Sequence, residues 1–281
     1  MDIKVLAIDL DGTLLNKKNE VTPASIEAIR LARQKGIEVV PSTGRLLCES
    51  RFAIDAIGGC NYSLHCNGST AWDHRASKPV FVSAFPKERA QEAIRRLDRH
   101  NILYQVYVDN ASCCPKRFYG DFTSKIFNQT YVDMFRDTQL WMDDPTEEIF
   151  QRGLQVMKYY VPNRDHDLLA AIKEEMLSLE GFESTFSSHY SVEIFQAGMD
   201  KYNGLTKLLD HLGVGFENLM MIGDSENDLR AIEAAAIGVA MGNGQDFVKE
   251  AADYVAPDHN HDGVAHAIHK FLLDEASPKT L

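Results

Sequence analysis

The chain has 281 residues, 44% hydrophobic and 25% charged, with a formal net charge of -12. That length can bury a large core and exceeds a typical single domain, so one domain of roughly 170 residues and a second of roughly 110 are expected. The ordinary globular composition excludes disordered and fibrous classes, and the acidic balance excludes a broad nucleic-acid surface, which needs clustered Lys and Arg. An anionic ligand must therefore be held by a local positive site or a metal ion, not by the global field. No apolar run approaches the ~20 residues that span a bilayer. Asp2 followed by a core strand does not read as a signal peptide. Cys48, Cys60, Cys66, Cys113 and Cys114 form an odd set without paired metal spacing. They read as reduced thiols, and the protein as cytoplasmic.

Val5-Leu6-Ala7-Ile8 opens the chain as an unbroken apolar run, the pattern of a strand buried on both faces of a parallel sheet. Asp9-Leu10-Asp11-Gly12-Thr13 follows. Carboxylates do not continue such a strand, because an unpaired one in the core is costly. Asp9 and Asp11 therefore stand at or just past its carboxyl end, where open α/β sheets place their ligands. On an extended backbone they share one side, roughly 6–7 Å apart. Two carboxylates so spaced can flank one reacting group or hold a divalent cation, although an Asp-Gly surface turn has the same letters.

Thr22-Pro23 starts a helix whose apolar face is Ile26, Ile29, Leu31 and Ala32, and Lys35-Gly36 ends it. Ile37 to Val40 is the next strand and runs into Pro41-Ser42-Thr43-Gly44-Arg45. A helix over about Leu46 to Ile57 and a strand at Tyr62 to His65 complete a doubly wound parallel pattern. From about Ala71 the rhythm changes. Val80 to Val82 reads as part of a hairpin leaving the sheet, Lys87 to His100 as a helix, and Leu103 to Val108 as a half-exposed strand. Further strands at Leu154 to Tyr160, Glu183 to Ser187 and Val192 to Phe195, with a helix near Leu168 to Leu179, make an α+β segment with an antiparallel sheet. The parallel pattern resumes after about Met199 with a helix from Asn203 to Leu212. The strand Leu219 to Ile222 then enters Gly223-Asp224-Ser225-Glu226-Asn227-Asp228. A helix to about Ala235, a strand Ile237 to Ala240, the turn Met241-Gly242-Asn243-Gly244 and a helix near Gln245 to Ala252 follow. Tyr254-Val255, a helix Gly263 to Phe271 and a polar, frayed tail from Asp274 close the chain. The expected fold is α/β: a Rossmann-like doubly wound core from residues 1–83 and 197–281, with 84–196 inserted.

Four loops then stand at or beside the carboxyl ends of predicted parallel strands: Asp9 to Thr13, Thr43 to Arg45, the Lys201 stretch, and Gly223 to Asp228. Phosphoryl transfer needs an in-line nucleophile, neutralisation of charge on the equatorial oxygens, and a proton for the leaving group. Asp9 can be the nucleophile, and Asp11 can protonate the departing alkoxide and then activate water. Lys201 supplies a point charge, while Thr43, Asn227 and loop amides donate hydrogen bonds. In order and chemistry these loops resemble the four motifs of the haloacid dehalogenase (HAD) superfamily, over nearly the whole chain. Thr43-Gly44-Arg45 is similar to the second motif of the Cof-type, sugar-phosphatase-like branch, and Gly223-Asp224-x-x-Asn227-Asp228 to the fourth. Met241 to Gly244 resembles a turn of that branch, and the insertion lies where the branch carries its C2-type cap. The resemblance implies a Mg²⁺-dependent phosphatase working through an aspartyl-phosphate. Mg²⁺ would sit on the Asp9 carboxylate, the Asp11 backbone carbonyl and Asp224, with Asp228 holding a metal-bound water. Thr43, Gly44, Lys201 and Asn227 would meet the phosphoryl group. Two positions depart from the branch: Tyr202-Asn203 separate Lys201 from Gly204, and Leu46 follows Arg45 where Pro is common.

Plainer readings exist for each residue. A lysine after a loop is usually solvated, Ser225 with Asp228 fits a capping box, and Arg45 can simply pair with a carboxylate. Asp258, His259, His261 and Asp262 could hold a metal but read as a loop without thiol partners, and Cys113-Cys114 as structural. Four loops of the required types, in order at one sheet edge, favour the catalytic set. The expected activity is hydrolysis of small phosphorylated metabolites, with sugar phosphates the class implied by the resemblance. A phosphomutase or phosphotransferase and a non-catalytic sugar-phosphate sensor are the alternatives. The expected partner is a small substrate, without nucleic acid or membrane, and the protein a monomer or weak homo-oligomer.

Overall fold

The structure, a computed structural model, describes residues 2–122 and 139–274, so the predicted tail beyond Asp274 lies outside the described residues. The chain forms two compact units: Met1–Arg45, Ser50–Phe81 and Asp200–Leu281 make one, and Leu46–Glu49 with Val82–Met199 the other.

The first unit begins with strand β1 (Val5–Ile8), helix α1 (Pro23–Gln34) and strand β2 (Glu38–Pro41). The Thr22 hydroxyl accepts from the Ser25 amide at 3.2 Å and Pro23 takes the first helical position, so the helix starts where its cap dictates. Helix α2 (Leu47–Ala56) leads to β3 (Tyr62–His65), β4 (Thr70–Asp73) and β5 (Lys78–Val82). These three form a small sheet of their own. The third strand is therefore not a full member of the parallel sheet. It meets the chain just past β2 through a parallel bridge between Ser42 and Leu64 and a 2.9 Å bond from the Thr43 amide to the Leu64 carbonyl.

In the second unit come helix α3 (Lys87–Arg99), β6 (Gln105–Val108), β7 (Ala111–Pro115), β8 (Gln139–Met142), α4 (Pro145–Gln151), β9 (Val156–Pro162), α5 (His166–Leu177), β10 (Phe182–Ser188) and β11 (Ser191–Gln196). They form a six-stranded sheet in the order β10-β11-β9-β6-β7-β8. Two expectations are corrected here. The sheet is not wholly antiparallel, because β7 and β8 run parallel, a pairing that no tight hairpin can make. And β6 is buried on both faces instead of half-exposed. Val106 and Val108 face the apolar core with Ile94, Leu97 and Ile172. The alternate residues Gln105 and Tyr107 lie in cross-strand rows with Tyr160 and Lys158. Lys158 is itself buried, in a 2.7 Å ion pair with Glu193 and 4.6 Å from the Tyr107 ring centre. Polar alternation here reports a polar sheet face, not a wet one.

The chain returns to the first unit with α6 (Lys201–Leu212), β12 (Leu219–Gly223), α7 (Glu226–Ala234), β13 (Ile237–Met241), α8 (Asp246–Ala251), β14 (Tyr254–Ala256) and α9 (Gly263–Ile268). The parallel sheet runs β14-β13-β12-β1-β2. Period-two alternation splits its side chains between two cores. Leu6, Ile8, Val39 and Ile222 pack with Ala28 and Ile29 of α1 and Ile268 of α9. Val5, Ala7, Val40 and Met221 pack with Leu205 and Leu208 of α6 and Ile232 of α7. The run was continuous because both faces are covered. β1 and β12 pair in register, Ile8 beside Ile222. They lie where the winding reverses, the position at which such sheets open a crevice past their carboxyl ends.

Candidate active site

Asp9 and Gly223-Asp224 leave the sheet side by side at that crevice, with the Asp9 amide bonded to the Ile222 carbonyl at 3.0 Å. Lys201 is fully buried, and its ammonium donates to Asp9 Oδ1 and to Asp228 Oδ1, each at 2.6 Å. The structure thus brings together three predicted residues separated by most of the chain. Helix α6 starts at Lys201, two residues before the expected start, because Asp200 caps it by accepting from the Asn203 amide at 2.7 Å. The cap aims the first helical side chain inward instead of leaving it in solvent.

Asp228 uses its other oxygen, Oδ2, to accept from the amides of Asp224 and Ser225 at 3.1 and 3.2 Å. The capping-box reading of Ser225 and Asp228 holds, and the carboxylate that starts α7 also accepts from the Lys201 ammonium. Asp224 Oδ1 accepts from the Thr13 hydroxyl at 3.4 Å. Gly12 has φ +76, and a Cβ there would lie 2.4 Å from Asp224 Oδ2. Glycine is required twice over, for the left-handed turn and for the approach of the carboxylate.

Among the described residues, Asp9, Asp224 and Asp228 are the one group of metal-ligating side chains whose donor atoms all lie within 4.8 Å of one another. Burial pushes the Asp9 carboxyl well above the usual carboxylate range, with Asp228, Asp224 and Asp11 adding to the rise against the pull of Lys201. Asp224 is pushed up to about 6, first by burial and then by Asp228. For Lys201 burial works the other way, but Asp228 and Asp9 outweigh it and hold the ammonium charged above its ordinary range. Three crowded carboxylates thus share one ammonium. An all-oxygen donor set with surplus negative charge fits a hard divalent cation.

Asp11 lies apart from this trio. Its carboxylate faces Arg45, which donates from Nε to Oδ2 at 2.8 Å and from Nη2 to Oδ1 at 2.5 Å. The carboxylate partner that sequence offered Arg45 as a plain alternative is Asp11, itself a predicted catalytic residue. The Thr43 hydroxyl accepts from the Arg45 amide at 3.2 Å. Gly44 leaves room for Asn67, whose Oδ1 would lie 2.8 Å from a Cβ at that position. Asn227 donates from Nδ2 to the same Asn67 Oδ1 at 3.0 Å and accepts from the Ser225 hydroxyl at 2.9 Å. Sequence reasoning missed Asn67, although Asn67-Gly68 after a strand is a turn signal. It also gave Asn243 no role, yet Asn243 donates to the Gly12 carbonyl at 2.8 Å and accepts from the His259 amide at 3.0 Å. His261 pairs with Asp258 at 2.7 Å, and this loop contributes no ligand cluster among the described residues. All five cysteines are free thiols, and no described helix is long and apolar enough to cross a membrane.

Comparison with known proteins places the chain in a family. Residues 6–268 match the family described as haloacid dehalogenase-like hydrolase. The chain is 32% identical over 273 residues to a 5-amino-6-(5-phospho-D-ribitylamino)uracil phosphatase of Bacillus subtilis, covering 97% of each chain. It is 31% identical to a pyridoxal phosphate phosphatase of Escherichia coli, covering 97% of this chain and all of that one. Its fold matches a haloacid dehalogenase-like hydrolase from Bacteroides thetaiotaomicron with a TM-score of 0.82 at 27% identity, over 95% of this chain and 99% of that one. The chain belongs to the haloacid dehalogenase-like hydrolases, in their Cof-type branch, and is a phosphoric monoester hydrolase acting on small phosphorylated compounds.

Proposed function

We propose that this phosphatase works through an aspartyl-phosphate on Asp9, uses Mg²⁺ as its metal, and takes sugar phosphates and related metabolites as substrates. The observation that carries the reading is the clustered trio of buried Asp9, half-buried Asp224 and buried Asp228, with Lys201 between Asp9 and Asp228. Asp9 attacks phosphorus in line with the leaving oxygen, so that the Asp9–phosphorus bond forms as the ester bond breaks. Asp11, oriented by Arg45, gives its proton to the departing alkoxide and recovers one from the water that hydrolyses the phosphoenzyme. Lys201 balances the approach of a dianion to Asp9, while Thr43, Asn227 and the Gly44 amide donate to the phosphoryl oxygens. Mg²⁺ would be held by the Asp9 and Asp224 carboxylates and the Asp11 carbonyl, with Asp228 behind them. When bound it supplies positive charge against the repulsion between carboxylate and phosphate. In this reading residues 1–83 and 197–281 are the catalytic core, and 84–196 the cap that selects the leaving group.

The test is inorganic phosphate release with Mg²⁺ over a panel of phosphomonoesters, run beside Asp9→Asn. Hexose, pentose and glycerol phosphates, nucleotides and flavin mononucleotide belong on it. So do pyridoxal phosphate and the phosphorylated ribitylaminouracil, after which the similar E. coli and B. subtilis proteins are named. Asp9→Asn is expected to lower kcat by at least about a thousandfold without loss of fold. EDTA is expected to stop wild-type turnover and excess Mg²⁺ to restore it. Near-normal turnover by Asp9→Asn would overturn the nucleophile, and turnover in EDTA the metal.

A further inference from the structure

Between β3 and β4 the chain makes a turn in which three successive residues, Cys66, Asn67 and Gly68, have φ of 51°, 52° and 90°. Only the last is a glycine. Left-handed backbone is disfavoured for residues with a Cβ, and strain of this kind persists only where the surroundings over-determine it. They do so here from three sides. The Cys66 amide donates to the Arg45 carbonyl and the Asn67 amide to the Thr43 carbonyl, each at 3.1 Å, which sews the turn to Thr43-Gly44-Arg45. Gly68 lies so close to the start of α6 that a Cβ on it would come within 2.1 Å of the Asp200 carbonyl. The Asn67 side chain, buried, reaches Asn227. One strained turn thus touches three of the four loops that make up the site.

We propose that Asn67 is a positioning residue for phosphate binding, acting through Asn227. The proposal rests on the reading of Asn227 as a phosphoryl hydrogen-bond donor. A carboxamide has a donor end and an acceptor end of nearly the same shape, and its orientation is set by its neighbours. If it turns over, its carbonyl meets a dianion. Asn227 is held at both ends: the Ser225 hydroxyl donates to its Oδ1, and its Nδ2 donates to Asn67 Oδ1. Asn67 consumes one N–H of that nitrogen and fixes the plane of the group, leaving the second N–H as the donor for phosphate. Gly44 completes the device, because a side chain there would collide with Asn67 Oδ1.

Asn67→Gly isolates the side chain, since glycine takes left-handed angles freely and keeps the turn. It is compared with Asn227→Ala and with the double variant in Mg²⁺ buffer. The readouts are the melting temperature and the binding of inorganic phosphate, both as a product-inhibition constant and by calorimetry. Asn67→Gly is expected to melt within about 3 °C of wild type and to weaken phosphate about tenfold, as Asn227→Ala does. The double variant is expected to be no worse than Asn227→Ala by more than about twofold, because residues acting as one unit are not additive. Wild-type phosphate binding by Asn67→Gly, with Asn227→Ala impaired, would overturn this proposal alone. So would losses that multiply in the double variant. Wild-type binding by Asn227→Ala would overturn the reading of Asn227, and this proposal with it.

Discussion

At the scale of single residues, the pairing of Arg45 with Asp11 separates stability from chemistry. The pair is bidentate, with the Arg45 side chain 15% exposed and the Asp11 side chain 54% exposed, and solvent at the carboxylate keeps its contribution to about 1 kcal/mol. Arg45→Ala is therefore expected to leave the melting temperature within about 3 °C of wild type. If Asp11 carries protons, the same change lowers kcat about tenfold, because the carboxylate loses its orientation. Arg45→Lys keeps the charge but not the fork, and is expected to recover little of kcat. Unchanged kcat in Arg45→Ala would show that Asp11 needs no such guide. The individual site residues differ in how far sequence reveals them. Asp9, Asp11 and Asp224 interrupt apolar strands, and a charge that ends a buried run is visible in one dimension. Asn67 and Asn243 are ordinary turn letters whose meaning lies in a hydrogen bond to Asn227 or to the Gly12 carbonyl. Those partners are far away in sequence, and only folding joins them.

At the scale of elements, α6 is placed by what lies against its first turn. Gly204 packs on Gly68, and a Cβ there would come within 2.5 Å of the Gly68 Cα. Alanine is worth about 1 kcal/mol over glycine inside a helix, whereas forced overpacking costs about 1–3 kcal/mol. A clash of backbone with backbone has no flexible side chain to absorb it, so the cost prevails. Gly204→Ala is expected to lower the urea midpoint and also kcat, since Lys201 stands one turn away on the same helix. A stabilised, fully active Gly204→Ala would refute the close packing. The helix itself was legible from its apolar spacing, but its start was not, because Asp200 as a cap competes with the plain reading of an acidic loop. In the second unit β7 and β8 escaped notice for a related reason. Ala111–Pro115 carries cysteines and a serine instead of branched apolar residues, and its partner β8 lies beyond a long stretch of chain.

At the scale of the whole molecule, each unit carries apolar cores of its own. Both cores of the parallel-sheet unit are built from its own residues, and that of the inserted unit from Phe85 onward. Joining Phe81 to Asp200 through a flexible linker is therefore expected to leave a unit that unfolds cooperatively in urea. It is also expected to keep a melting temperature that Mg²⁺ raises, by mass action on the folded state. A molten product would mean that the two units stabilise each other.

The order of strands also has a consequence for synthesis. β1 is made before the inserted unit, yet one of its two neighbours, β12, comes from Leu219–Gly223, after the entire inserted unit. A nascent chain that has just emerged through Phe81 can pair β1 with β2 on one side only. On the other it exposes an unsatisfied, wholly apolar edge, the kind of edge that recruits foreign strands. The inserted unit is translated complete during that interval, with all its sheet partners local to itself. Vectorial synthesis thus finishes the insertion before the host sheet can close, and the vulnerable period of this protein is the time the ribosome takes to reach β12.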